Sequence, residues 1–200
     1  SNLSKTDNFF IPNSIVTKYD LYDNKASLKS QSYFVKTYSF SLYLHSLESI
    51  SSFDERRDGY LSAMKHFHLE LPQDDIYYVH YSEEESYQDI YRIFKDSPVH
   101  STAFICDDDT IAAGALRAFR MLGYKIPEDI SLVGFNNRPN ASLTQPSLTT
   151  INVPKSAFGT AAVESIINLI GKKQNNNCWA SSLKTRIGTQ LVIRDSVKKI

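Results

Sequence analysis

The sequence predicts an α/β domain with a mainly parallel sheet covered by helices on both faces. Two observations carry that expectation. Short apolar runs alternate with segments of helical periodicity, which is the pattern of strands joined by crossover helices. The run Ser101–Ile151 compresses the pattern: an apolar strand enters acidic residues, an amphipathic helix follows, and a Gly turn and a Pro-Glu-Asp loop lead to a second apolar strand. Polar residues stand where the strands end, at Asp107–Asp109 and at Asn136-Asn137. In open α/β sheets that edge is where ligands bind.

Taken in order, a weak helical pattern covers Asn24–Lys36, and Phe40–Leu44 reads as the first strand. Arg57–His68 sets Tyr60, Leu61, Met64 and Phe67 on one helical stripe. A strand follows at Ile76–Tyr81. Ser82 and Glu85 then form a capping box, in which each side chain satisfies free amides at the helix start. The helix they open places Tyr87, Ile90, Tyr91 and Phe94 on one face. Thr102–Cys106 is the next strand, and Ile111, Ala115, Phe119 and Leu122 share the face of the helix after it, with Gly123 as its left-handed stop. Ser131–Phe135 is a buried strand. Phe158, Ala162, Ile166, Leu169 and Ile170 line a further helix expected to end at Gly171. Lys172–Ser182 is Asn-rich and reads as a surface loop, and Thr185–Ile193 as the last strand.

Twenty-two basic residues balance twenty-two acidic ones, so the charge excess of a chain that grips DNA phosphates is missing. Cys106 and Cys178 allow at most one bridge. The expectation is two reduced thiols in a cytoplasmic protein. No apolar run is long enough for a membrane helix, and the first residues lack the layout of a secretion signal.

Asp107-Asp108-Asp109 admits three readings: capping of the helix that begins there, ligand binding, or chelation of a metal. The five histidines are scattered without metal-ligand spacing, and His66 and His68 point to different helix faces. There is no GxGxxG, no Walker loop and no nucleophile elbow. Nothing in the chain has the pattern of a catalytic site, and neither a metal nor a cofactor is expected. Arg56 opens an amphipathic helix and Tyr81 ends a strand. By itself Arg56 reads as a solvated surface residue, and Tyr81 equally as a strand-end core residue or as an aromatic face on which a ligand stacks.

The segments DTIAAGALRAFRMLG, IPEDISLVGF, PSLTTINVP and FGTAAVESIINLI, in that order, resemble the effector-binding domain of LacI/GalR transcriptional regulators. The resemblance runs from about Ser14 onward and is strongest over Thr102–Gly171. It implies a periplasmic-binding-protein type I-like fold, seen here mostly as the carboxy-terminal lobe. The implied organisation is a remnant of the amino-terminal lobe at 1–18, the carboxy-terminal lobe at 19–150, a crossover segment with a helix of the first lobe at 151–182, and a return strand and tail at 183–200. The DNA-binding domain and most of the first lobe are expected to lie outside this chain.

The resemblance also implies roles. Arg56, Tyr81, Asp108, Asn136 and Phe158 match effector-binding positions. Asp108 stands where the family usually carries Asn, and Asn136 where it usually carries Asp. That exchange keeps the carboxylate count and puts the identity of the ligand in question. Ala112, Ala113 and Leu116 match a two-fold interface, where the small residues would let a second copy approach. The implied partners are a small-molecule effector of the sugar class, a second copy in a homodimer, and operator DNA only through a domain not in this chain; no membrane is implied. The rival expectations are a periplasmic sugar-binding transport receptor of the same fold and, from the acidic triplet, a metal enzyme. The site side chains are expected to lie outside the core, so that truncating them affects binding and not stability.

Overall fold

A computed structural model describes residues 41–69, 76–174, 185 and 187–198. Six strands form one sheet: β1 (Ser41–Ser46), β2 (Ile76–Val79), β3 (Ala103–Cys106), β4 (Ser131–Asn136), β5 (Thr149–Asn152) and β6 (Gln190–Val192). Their spatial order is β2-β1-β3-β4-β5-β6. The first five run parallel, and β6 lies antiparallel on β5. Helices α1 (Ser51–His66), α2 (Glu83–Phe94) and α3 (Asp109–Met121) connect the first four strands, and α4 (Lys155–Gln174) follows β5.

Alternation along the strands sorts the core into two layers. Leu44, Phe104 and Leu132 point to one face and pack with Ile90 and Phe94 of α2 and Ile111, Ala115 and Phe119 of α3. Phe94, Phe104 and Phe119 meet as an aromatic cluster with centroids 4.7–5.8 Å apart, in the range where tilted rings attract. Tyr43, Ile105 and Val133 face the other way, onto Tyr60 and Met64 of α1. Both faces of the sheet are thus covered, as the alternating pattern predicts.

The caps explain where the helices begin. The Glu85 amide donates to Ser82 Oγ at 3.2 Å, and the Ser82 hydroxyl donates to the Glu85 carboxylate at 2.6 Å. Asp108 caps α3 by accepting from the Thr110 amide at 2.9 Å. At the other end of α3, Gly123 takes φ +90° and so closes the helix in the left-handed region.

Several expectations need correction. α1 begins six residues before Arg57, without a side-chain cap, and buries Phe53 in its first turn. β1 continues through His45 and Ser46, polar residues that are buried because Asp107 bonds to both. The final strand is short and antiparallel, and β5 is a strand in its own right. α4 does not stop at Gly171 but runs to Gln174. Val163, Ile166, Ile167, Leu169 and Ile170 on it are more than half exposed. The pattern that predicts Asn24–Lys36, the 1–18 remnant and Cys178 falls outside the described residues. No helix among the described residues is long and apolar enough to cross a membrane.

Candidate functional site

The strand order reverses between β1 and β3, because the chain moves outward to β2 and then returns past β1. Such a reversal leaves a crevice at the carboxyl ends of the strands. The ends of β1, β2, β3 and β4 supply the side chains there.

Asp107 follows β3 and is fully buried. Its carboxylate accepts from Tyr43 Oη, from the Ser46 amide and lies against His45 Nδ1, all at 2.7 Å. Burial, then the neighbouring Asp107, pushes the Tyr43 phenol well above its ordinary value, so it stays a donor. The Asp107 carbonyl accepts from Arg56 Nη1 at 2.6 Å, while the Arg56 guanidinium stacks 4.0 Å over the Phe135 ring. Arg56 is therefore held between the ends of β3 and β4.

Asp108 is also wholly buried. Besides capping α3, it accepts from the Thr110 hydroxyl at 2.7 Å, from Arg138 Nε at 2.9 Å, from Asn136 Nδ2, and from Tyr81 Oη at 3.4 Å. Arg138 Nη2 donates in turn to Tyr81 Oη. Asp109 accepts from the Thr150 hydroxyl at 2.5 Å and from the Arg138 amide at 2.6 Å. Desolvation raises its pKa to about 6 despite those two donors. Asn136 and Asn137 have φ of 94° and 47°, left-handed conformations that Asn tolerates better than most residues. That kink turns the chain off β4 so that Arg138 folds back over Asp108.

Four of the expected residues are thus gathered: Tyr81, Asp108 and Asn136 by direct hydrogen bonds, and Arg56 through Asp107 and Phe135. Phe158 is half-buried one turn into α4, whose start is tied to the site by Lys155 Nζ donating to the Asn136 carbonyl at 2.9 Å. Among the described residues no hydrogen bond or ring contact joins Phe158 to the other four. The Asp108 carboxylate, which keeps the carboxylate count of the site, is surrounded by donors from its own chain. All three carboxylates of the triplet are engaged in this way, and no cluster of three metal-ligating side chains occurs among the described residues. Arg138 carries no periodicity or motif that would have singled it out, and Thr150 lies within PSLTTINVP, a segment that marks the family and not the site.

The expected interface positions also need correction. Ala112, Ala113 and Leu116 are buried within the chain, Ala112 and Leu116 in the core that also holds Ala141 and Leu148. A Cβ on Gly114 would stand 2.6 Å from the Glu83 carbonyl oxygen of α2, so Gly114 serves a close approach between α2 and α3.

Residues 40–197 match the model of the periplasmic binding protein-like domain. The HTH-type transcriptional repressor PurR of Klebsiella pneumoniae subsp. pneumoniae is 33% identical over 142 residues, covering 71% of this chain and 40% of that protein. The probable HTH-type transcriptional repressor ExuR of Bacillus subtilis is 25% identical over 179 residues, covering 89% and 52%. The chain thus spans about two fifths to one half of these relatives. Among solved structures, the transcriptional regulator CelR in complex with cellobiose superposes with TM-score 0.76 at 18% identity, over 94% of this chain and 56% of that one. A sugar-binding LacI-family regulator from Escherichia coli, complexed with phosphate, gives 0.72 at 19%, over 87% and 60%. These relatives are regulators of transcription, not enzymes.

Proposed function

The chain belongs to the LacI/GalR family of transcriptional regulators through its periplasmic binding protein-like domain, and from that premise we propose that it is the effector-sensing part of such a regulator. A small polar molecule of the sugar or sugar-derivative class binds at the carboxyl edge of the sheet. Its differential affinity for two arrangements of the whole protein shifts the equilibrium between DNA-competent and incompetent forms. The supporting observation is the convergence of Arg56, Tyr81, Asp108 and Asn136 from four separate segments at the strand-order reversal. The working compartment is the cytoplasm, where the operator is. The rival reading, a transport receptor, draws no support from relatives that are repressors.

The exposed apolar side of α4 fits the organisation expected from the family. Val163, Ile166, Ile167 and Ile170 are each over half exposed, and a lobe that completes the other wall of the cleft would cover them. The regulator works as a homodimer in this reading. Its contact uses the exposed Met121 and Leu143 rather than the buried Ala112, Ala113 and Leu116.

The test is a small-molecule screen by thermal shift on the full-length protein, followed by operator gel shifts with the hits. A ligand that stabilises the protein and changes operator affinity tenfold or more supports the reading, provided Asn136→Ala abolishes both effects. A hit that acts equally on Asn136→Ala would end it.

A further inference from the structure

Arg138 changes what this cleft offers to a ligand. Its Nε reaches Asp108 at 2.9 Å, and one Nη2 hydrogen goes to Tyr81 Oη. Tyr81 Oη also donates to Asp108 at 3.4 Å, which closes a triangle. The exposures within it are unequal: the Arg138 side chain is 42% exposed and Asp108 is 0%. The carboxylate faces inward, toward Thr110 and Asn136, while the guanidinium faces outward. A guanidinium carries five N–H donors in a fixed plane, and two of those on Arg138 are committed to Asp108 and Tyr81. Three remain for a ligand, in the fork that matches carboxylate or phosphate oxygens.

The surroundings reinforce this polarity. Asp107 and Asp109 are buried and engaged, like Asp108, so none of the three presents an oxygen to solvent. Lys155 is exposed and sits on the Asn136 carbonyl at 2.9 Å, which adds a second cation at the same rim. Arg56 is a third, a strand away. Asn136 gives one of its two amide hydrogens to Asp108. Neutral sugar hydroxyls are commonly gripped by acceptors, and the acceptors of this cleft are largely used up. Around Asn136 the outward-facing groups are the cationic donors Arg138 and Lys155, and the exposed carboxylate at this edge, Glu48 beyond β1, is held by the Tyr81 amide at 3.2 Å and by the Ser46 hydroxyl.

Resting on the effector-site reading above, we infer that Arg138 is a specificity-determining residue: it locks Asp108 away and makes the cleft select a small molecule bearing an oxyanion, a carboxylate or a phosphate. The source of the oxyanion is a sugar acid or a sugar phosphate, and the same experiment separates the two.

The experiment measures binding to the full-length protein by calorimetry with matched pairs: galacturonate against galactose, and glucose 6-phosphate against glucose. The expected result is at least tenfold tighter binding of one charged member than of its neutral parent, and the pair that responds identifies carboxylate or phosphate. Arg138→Gln should erase that gap by weakening the anion tenfold or more and by freeing Asp108 for hydroxyls. Arg138→Lys, which keeps the charge and loses the planar fork, should fall between. Melting temperatures of both variants confirm that they are folded. Equal or tighter binding of the neutral sugars overturns the proposal and leaves the effector site standing. So does an anion preference that both variants retain in full. Failure of all four probes overturns the proposal and counts against the sugar-class effector site as well.

Discussion

Thr150 donates its hydroxyl to Asp109 across 2.5 Å and so ties β5 to the first turn of α3 beneath the site. The Arg138 amide holds the second carboxylate oxygen at 2.6 Å. Two donors would ordinarily keep a carboxylate acidic, yet burial outweighs them and raises Asp109 from 3.8 to about 6.

The sign follows from the direction. An acid whose folded pKa is raised binds its proton more tightly in the folded state, so the stability it contributes is present at low pH and lost as pH rises. The window runs from about 4 to about 6. A rise of this size amounts to about 3 kcal/mol at roughly 1.4 kcal/mol for each pH unit. Urea denaturation from pH 4 to 7 should therefore show the stability of the wild type falling relative to Asp109→Asn, with the difference flat above about pH 7. A difference that grows in favour of the wild type over that window would contradict the assignment.

Asp108 and Arg56 should separate in their effects on stability. Asp108→Ala removes the cap of α3 and leaves the Arg138 and Asn136 donors unmatched, a loss of about 2–4 kcal/mol from a cap near 1 and a buried polar group of 1–3. Arg56→Ala removes the bond to the Asp107 carbonyl and the stacking on Phe135 and Phe53, about 1–2 kcal/mol. Equilibrium unfolding of the two variants should rank them in that order. Both should weaken effector binding by roughly 1–3 kcal/mol. The sequence-based expectation that neither change touches stability holds least for Asp108, which is as buried as any core residue.

The residues at the strand ends were legible because an apolar run that stops at a polar residue marks its own carboxyl edge. Tyr81, Asp108 and Asn136 each have that context, and the alternation of strands and helices places such edges together. Arg138 was not legible: it sits in a loop before Pro139, without periodicity, and its carboxylate partner is 30 residues away. Gly114 shows a different limit. Small residues on a helix announce that something approaches closely, and they do not say whether it is a second copy or α2. Only the nearness of Glu83 and Ser86 decides. The early start of α1 was hidden because Ile50 offers no capping side chain.

Gly114→Ala should destabilise the α2–α3 contact. Its new Cβ would meet Ser86 Oγ and come within 2.6 Å of the Glu83 carbonyl and 2.9 Å of the Tyr87 amide. The Ser86 side chain can rotate, whereas the two backbone groups cannot move without shifting α2. Overpacking of this kind costs about 1–3 kcal/mol, which exceeds the roughly 1 kcal/mol that Ala gains over Gly in a helix. Denaturant midpoints should fall, and pairing with Ser86→Gly should recover only part of the loss.

The apolar face of α4 gives a test of whether a further lobe belongs against it. Ile166 and Ile170 are 56% and 57% exposed, and surface changes away from special features usually fall within about 0.5 kcal/mol. In the 200-residue chain alone, Ile166→Asp and Ile170→Asp should each leave the unfolding free energy within that range and lower the binding of a hydrophobic dye. Ile111, fully buried between α3 and the sheet, serves as the contrast, and Ile111→Ala should cost about 2–5 kcal/mol in the same assay. In the full-length protein the two Asp variants should behave like core changes, because a carboxylate would then be forced into an apolar contact. Equal, small effects in both contexts would mean that α4 stays uncovered, and the proposed lobe organisation would have to be given up.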